Sequence, residues 1–160
     1  MKTLVLGFGN RSRRDDGAGW EVVERLRDLA LPDVELQTAH QLDLAMAETV
    51  SEFDLVIFVD AAVPNGLPFV SREVVKPQGR ESVASHFVSP SDLITVCATL
   101  YGRPPEAMLF TIPARDLNFG EHLSPRAEAD ARSVAGEIAE LTGLLRHNSA
   151  AKHNPEVACA

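Results

Sequence analysis

Cysteine is scarce in this chain. Cys97 and Cys159 are the only two, and no C-x-x-C spacing occurs, so a disulfide framework is not expected. Positive charge is in deficit as well: 15 Lys and Arg stand against 23 Asp and Glu, a formal net charge of −8. A surface of that sign repels phosphate, which argues against nucleic acid as a partner. Apolar runs of membrane length are missing, and the opening Met-Lys has neither the charged region nor the cleavage site of a signal peptide. The expected address is the cytoplasm, with no membrane partner and a monomeric state.

What is present is ordinary for a globular protein. Hydrophobic residues make up 45% and charged residues 24% of 160 residues, enough for one domain with a core. Strand and helix patterns alternate along it. Thr3 to Leu6 is a short apolar run, and Phe53 to Val59 is the most hydrophobic segment, so both suit strands covered on two faces. Val34, Leu36 and Thr38 alternate with polar residues as a strand near a sheet edge. Phe69 to Val75 follows a Pro-Asn-Gly turn and is expected to pair antiparallel, and Ala107 to Ile112 is a further core strand.

Between these lie helices. Ala18, Val22, Val23, Leu26 and Leu29 recur at helical spacing, and Leu42, Ala45, Met46, Thr49 and Val50 give a second stripe. Ser89-Pro90-Ser91-Asp92 opens a third helix whose stripe is Leu93, Cys97 and Leu100, which makes Cys97 a core residue. Ser124-Pro125 repeats that opening before Ala127, Ala131, Val134, Ile138, Leu141 and Leu145. The pattern predicts a single α/β domain over 1–146, a three-layer α/β/α sandwich with a mostly parallel sheet of about five strands. Residues 147–160 are polar and small, and are expected to form a disordered tail.

Candidate site residues cluster where strands end. Gly7 and Gly9 allow a sharp turn after the first strand, and Asp15 and Asp16 stand before a helix. In an open parallel sheet that loop lies on the ligand side. Capping accounts for one acid more simply than for two. A dinucleotide site is a poor alternative, because the third glycine of its fingerprint falls at Ser12 and no acid ends the second strand. Arg11, Arg13 and Arg14 either meet an acidic partner segment or are solvated. Asp60 directly follows the most hydrophobic strand, and His86 arrives on a loop before the third helix. Asp16, Asp60 and His86 together make a ligand set with open positions, suited to Ni²⁺ or Zn²⁺. His40, after the second strand, is a supporting candidate. Asp116, Glu121 and His122 share one long loop and are most simply solvated charges.

The chain resembles the hydrogenase maturation proteases. The resemblance rests on Gly7, Gly9, Asn10, Asp15, Asp16, Gly17 and Gly19, on Ser85, His86, Ser89 and Pro90, on Leu100-Tyr101-Gly102, and on Gly120, Glu121, Leu123, Ser124 and Pro125. It spans roughly residues 1 to 145. It implies an endopeptidase that removes the C-terminal extension of a [NiFe] hydrogenase large-subunit precursor after nickel insertion, with Asp16 and Asp60 catalytic and Asp16, Asp60 and His86 binding metal. The nickel would be carried by the precursor, and the isolated protein could take another divalent ion such as zinc. The alternative is a non-enzymatic nickel-recognising chaperone or binding module. Many members have Glu where this chain has Asp16, and Ala39-His40-Gln41 replaces a glycine-rich turn.

Overall fold

The computed structural model describes residues 1–63, 68–79 and 87–152. Its five-stranded sheet has the order β2-β1-β3-β5-β4, with β1 at Thr3–Phe8, β2 at Val34–Ala39, β3 at Leu55–Ala62, β4 at Ser71–Val74 and β5 at Glu106–Pro113. All neighbours are parallel except β4, which runs antiparallel to β5. An antiparallel strand is present as expected, but only over Ser71–Val74, and its partner is the later strand β5 in place of the one that precedes the turn.

Alternation along the strands divides the core in two, because successive side chains point to opposite faces. Val5, Ile57, Val59, Phe110 and Ile112 face α1 (Ala18–Arg27) and α4 (Pro125–Lys152), where Val22, Leu26, Val134 and Ile138 meet them. Leu4, Leu6, Val56 and Phe58 face the other way, towards α2 (Ala47–Val50) and α3 (Pro90–Tyr101), where Val50, Leu93, Ile94 and Cys97 close the second layer. This is the α/β/α sandwich the sequence predicts. At about 1.5–3 kcal/mol for each large side chain buried, the twelve largest fully buried ones are a dominant stabilising term.

Local differences have physical reasons. The second helix is a 3-10 turn at Leu44–Met46 followed by the single turn of α2, since Asp43 caps the turn by accepting from Ala45 N–H at 2.8 Å. Only Leu42, Ala47 and Val50 are buried there, and Ala45 and Thr49 face out. Leu29 and Leu100 lie past the parts of their helices that meet the sheet and are exposed, whereas Ile94 takes an inward place in α3. Helix α4 continues to Lys152, beyond the point where a tail was expected. Alanines favour helix without needing burial, and His147 Nδ1 lies 2.9 Å from Gly143 O one turn back. No described helix is long and apolar enough to cross a membrane.

Candidate active site

Strand order reverses direction about β1: β2 lies on one side of it and β3 on the other. The carboxyl ends of β1 and β3 therefore flank a crevice, the usual ligand position in an open parallel sheet. A cleft of about 920 Å³ opens there, lined by Gly9, Asn10, Asp16, His40, Asp60 and Phe87 among others.

Asp60 is inside β3, not after it. The strand runs two residues further to Ala62, because β5 supplies partners for Asp60 (Thr111), Ala61 and Ala62. Pairing with β1 stops one residue earlier, at Gly7 opposite Val59, so the β1 side of Asp60 is left to the acidic loop.

Glycine lets that loop come close. The backbone of Gly19, at the start of α1, lies on Val59 O and Phe8, so a β-carbon there would overlap main chain, and Gly7 meets Gly19 O in the same way. Gly9 has φ 137°, a left-handed value that glycine accepts, and it packs against Asp16 O. The placing of Gly7, Gly9 and Gly19 is thus a packing requirement. It sets the Asp16 loop on the end of β3.

The two neighbouring acids of the loop have different tasks. Asp15 is fully buried and accepts four hydrogen bonds: from Arg115 N–H (2.9 Å), Asp116 N–H (3.0 Å), Ser124 N–H (2.7 Å) and the Ser124 hydroxyl (2.9 Å). Burial pushes its carboxyl up, but the bonds from Ser124, Arg115 and Asp116 outweigh that and hold it below the usual carboxylate range. Asp15 is therefore an anchor for the β5–α4 loop, and Ser124 answers it. Sequence reading weighed a helix cap against a site role for this pair of acids and missed this partnership. The Ser-Pro before the last helix was its one signal.

Asp16 faces the cleft. Its Oδ2 accepts from Asn10 N–H at 2.9 Å. Among the described residues, Asp60 Oδ1 accepts from Ala61 N–H, at 2.8 Å. Burial raises the Asp60 pKa first; the Ala61 bond draws it down, and the charge of Asp16 pushes it up again, to about 7. A carboxyl group whose pKa lies near neutrality can give or take a proton at neutral pH.

The arginines beside the acids hold the loop. Arg14 pairs with Asp116 at 3.1 Å, Arg13 Nε donates to Leu117 O at 3.1 Å, and the Arg11 guanidinium lies 5.0 Å from the Trp20 ring. Main-chain bonds from Arg14 N to Gly120 O and from Gly120 N to Ser12 O complete the junction. Asp116 is thus committed to the fold. His40 lines the same cleft as Asp16. His86, the third expected ligand, lies outside the described residues. Among the described residues no three His, Cys, Asp or Glu side chains gather to hold a metal.

No protein-family model and no curated protein matches this chain. Solved structures do. A hydrogenase 2 maturation peptidase from Thaumarchaeota archaeon SCGC_AB-539-E09 is 26% identical, with a TM-score of 0.67 over 90% of this chain and 99% of that one. This chain has the fold of the hydrogenase maturation proteases. The [NiFe] hydrogenase maturation protease HycI from Thermococcus kodakarensis KOD1 superposes with a TM-score of 0.71 at 24% identity, over 89% of this chain and 92% of its own. The maturating endopeptidase HybD from E. coli gives 0.67 at 22%, over 86% and 90%. The resemblance read from the motifs is therefore matched by the hydrogenase maturation protease fold, over nearly the whole of each chain. The likeness to the archaeal peptidase supports a peptidase.

Proposed function

We propose that this chain is an endopeptidase that removes the C-terminal extension of a [NiFe] hydrogenase large-subunit precursor, acting once nickel is in the precursor. The observation that carries this reading is the meeting of Asp16 and Asp60 at the β1/β3 switch point, with Asp60 held near neutral pKa. The likeness to named maturation proteases supplies the substrate class.

In this reading the precursor strand lies along the cleft. Phe87 and Leu44 give apolar contact on its walls, and Asp16 and Asp60 form its reactive end. The Asp16 carboxylate takes a proton from the attacking water, and Asp60 in its protonated form delivers one to the leaving amine, so the pair ends with its proton moved from Asp60 to Asp16. Near neutral pH Asp60 is populated in both forms: ionised, it joins Asp16 and His86 in recognising the nickel of the precursor, whose chemistry is to polarise the carbonyl beside it, and protonated, it serves the leaving amine. Oxygen and imidazole donors suit nickel, and the same set would take zinc in the isolated protein. The free Oδ atoms of the two acids are the ones available, since Asn10 and Ala61 occupy the others.

The test is mass spectrometry of nickel-loaded and nickel-free precursor incubated with the protein. Loss of the extension from the loaded form alone is expected. Equal trimming of both removes the nickel requirement, and an unchanged mass in both, with binding retained, favours the non-enzymatic chaperone. His86→Ala and His40→Ala assayed side by side identify the histidine that completes the set.

A further inference from the structure

Trp20 is the only tryptophan of the chain, and it sits in the first turn of α1, directly after Gly19. Its indole is half-buried, and its Nε1–H is turned to main chain: it donates to Gly9 O at 2.9 Å and to Ala39 O at 3.1 Å. These two carbonyls belong to the ends of neighbouring strands. Phe8 and Ala39 are the last paired residues of β1 and β2, and Gly9 N–H adds one more bond to Ala39 O at 3.1 Å. A single side-chain donor therefore closes the ladder where it stops.

Beyond each carbonyl, the next residue of the chain lines the cleft. After Gly9 comes Asn10, whose N–H holds Asp16 Oδ2. After Ala39 comes His40, which lines the same cleft. If the two strand ends splayed, water could satisfy both carbonyls, so their pairing through one indole fixes a distance as well as hydrogen-bonding capacity. The Arg11 guanidinium over the ring holds the indole in place from the solvent side.

We propose that Trp20 is a positioning residue: its indole N–H fixes the separation between the Asp16 loop and the His40 wall, and so the width in which a substrate strand meets the acids. The inference rests on the peptidase reading for its effect on rate and on the geometry alone for its effect on structure. The ring could be filled by another aromatic residue. The N–H could not.

Two variants of the full chain test it. Trp20→Phe keeps an aromatic ring, and a benzothiophene analogue of tryptophan at the same position keeps the whole shape while replacing N–H by sulfur. On nickel-loaded precursor, kcat should fall by between about tenfold and a hundredfold with KM unchanged, the range expected for a misplacement of about 1 Å. The thermal midpoint of the benzothiophene variant should match that of the parent. Combination with His40→Ala should be less than additive, because both changes act on the same wall. In NMR spectra of the proteins alone, the Asn10 amide and the His40 ring should shift while the Ile138 amide does not. Parental kcat with unmoved Asn10 and His40 signals would overturn the inference, as would an activity loss that merely follows the thermal midpoint. Should the parent protein leave the precursor intact, the peptidase reading falls, and the spectra still decide whether Trp20 sets the cleft.

Discussion

Asp15 and Asp16 are adjacent in sequence and opposite in surroundings. Around Asp15, four donors from the β5–α4 loop satisfy a fully buried carboxylate. Around Asp16 and Asp60, the described donors are two main-chain N–H groups for two carboxyl groups, and the remaining oxygens face a cleft. The first region resembles a finished structural joint. The second leaves bonding capacity unused, the condition under which a carboxyl group keeps its proton and remains available to a substrate. One turn of chain thus carries both the fold's anchor and one of the site's two carboxyl groups, and a substitution at either position reports on a different property.

The largest expected effect separates them by activity. Asp60→Asn should reduce precursor processing by at least about a hundredfold, the scale of a lost general acid, while circular dichroism and the thermal midpoint show an intact fold. Asp15→Ala should do the reverse in kind. It leaves Arg115 N–H, Asp116 N–H and Ser124 N–H without their buried acceptor, and should cost about 3 kcal/mol in urea unfolding. An Asp15 variant of parental stability would end its reading as an anchor.

Proton linkage should also distinguish the two acids, with opposite signs. The folded pKa of Asp60, about 7, lies above its ordinary 3.8, so the folded state binds the extra proton between those values. Its contribution to stability is full below about pH 4 and lost as pH rises through 7. Asp60→Asn should therefore gain stability relative to the parent between pH 5 and pH 8. Asp15 has its pKa lowered, so its contribution is present above the ordinary 3.8 and lost as pH falls through the folded value. Asp15→Asn should be weaker than the parent at neutral pH and converge on it in acid. Unfolding curves across pH 3 to 8 check both signs.

These two acids also mark how far the sequence could be read. The strands, the two-faced core and the position of the acidic loop follow from local pattern: Phe58 and Val59 are apolar on both faces because helices cover both. The glycine spacing pointed at the correct loop, and Asp16 and Asp60 do share one cleft. What was hidden depends on distant partners. Nothing near Asp15 in sequence announces Ser124, 109 residues away, and nothing near Asp60 shows that β5 extends the strand past it. The arginines read as a partner surface or a solvated loop because their acceptors, Asp116 and Leu117 O, also lie about a hundred residues on. Helix stripes failed at their ends, as at Leu100, where periodicity continues after the sheet beneath has stopped.

The smallest expected effect refines the anchor side of the comparison. Arg14 and Asp116 form an ion pair at 3.1 Å in the same junction as Asp15, but both side chains are part-exposed, 42% and 28%. Solvent screens such a pair, and holding a long side chain in one rotamer offsets part of its attraction. The main-chain bond from Arg14 N to Gly120 O persists when the side chain changes. Arg14→Gln should therefore cost less than about 1 kcal/mol, with the loss shrinking further as salt is added. Its urea midpoint beside that of Asp15→Ala ranks the two contacts of one junction. If Arg14→Gln proved as damaging as Asp15→Ala, the junction would depend on the ion pair at its surface, and the buried carboxylate would lose its place as the anchor.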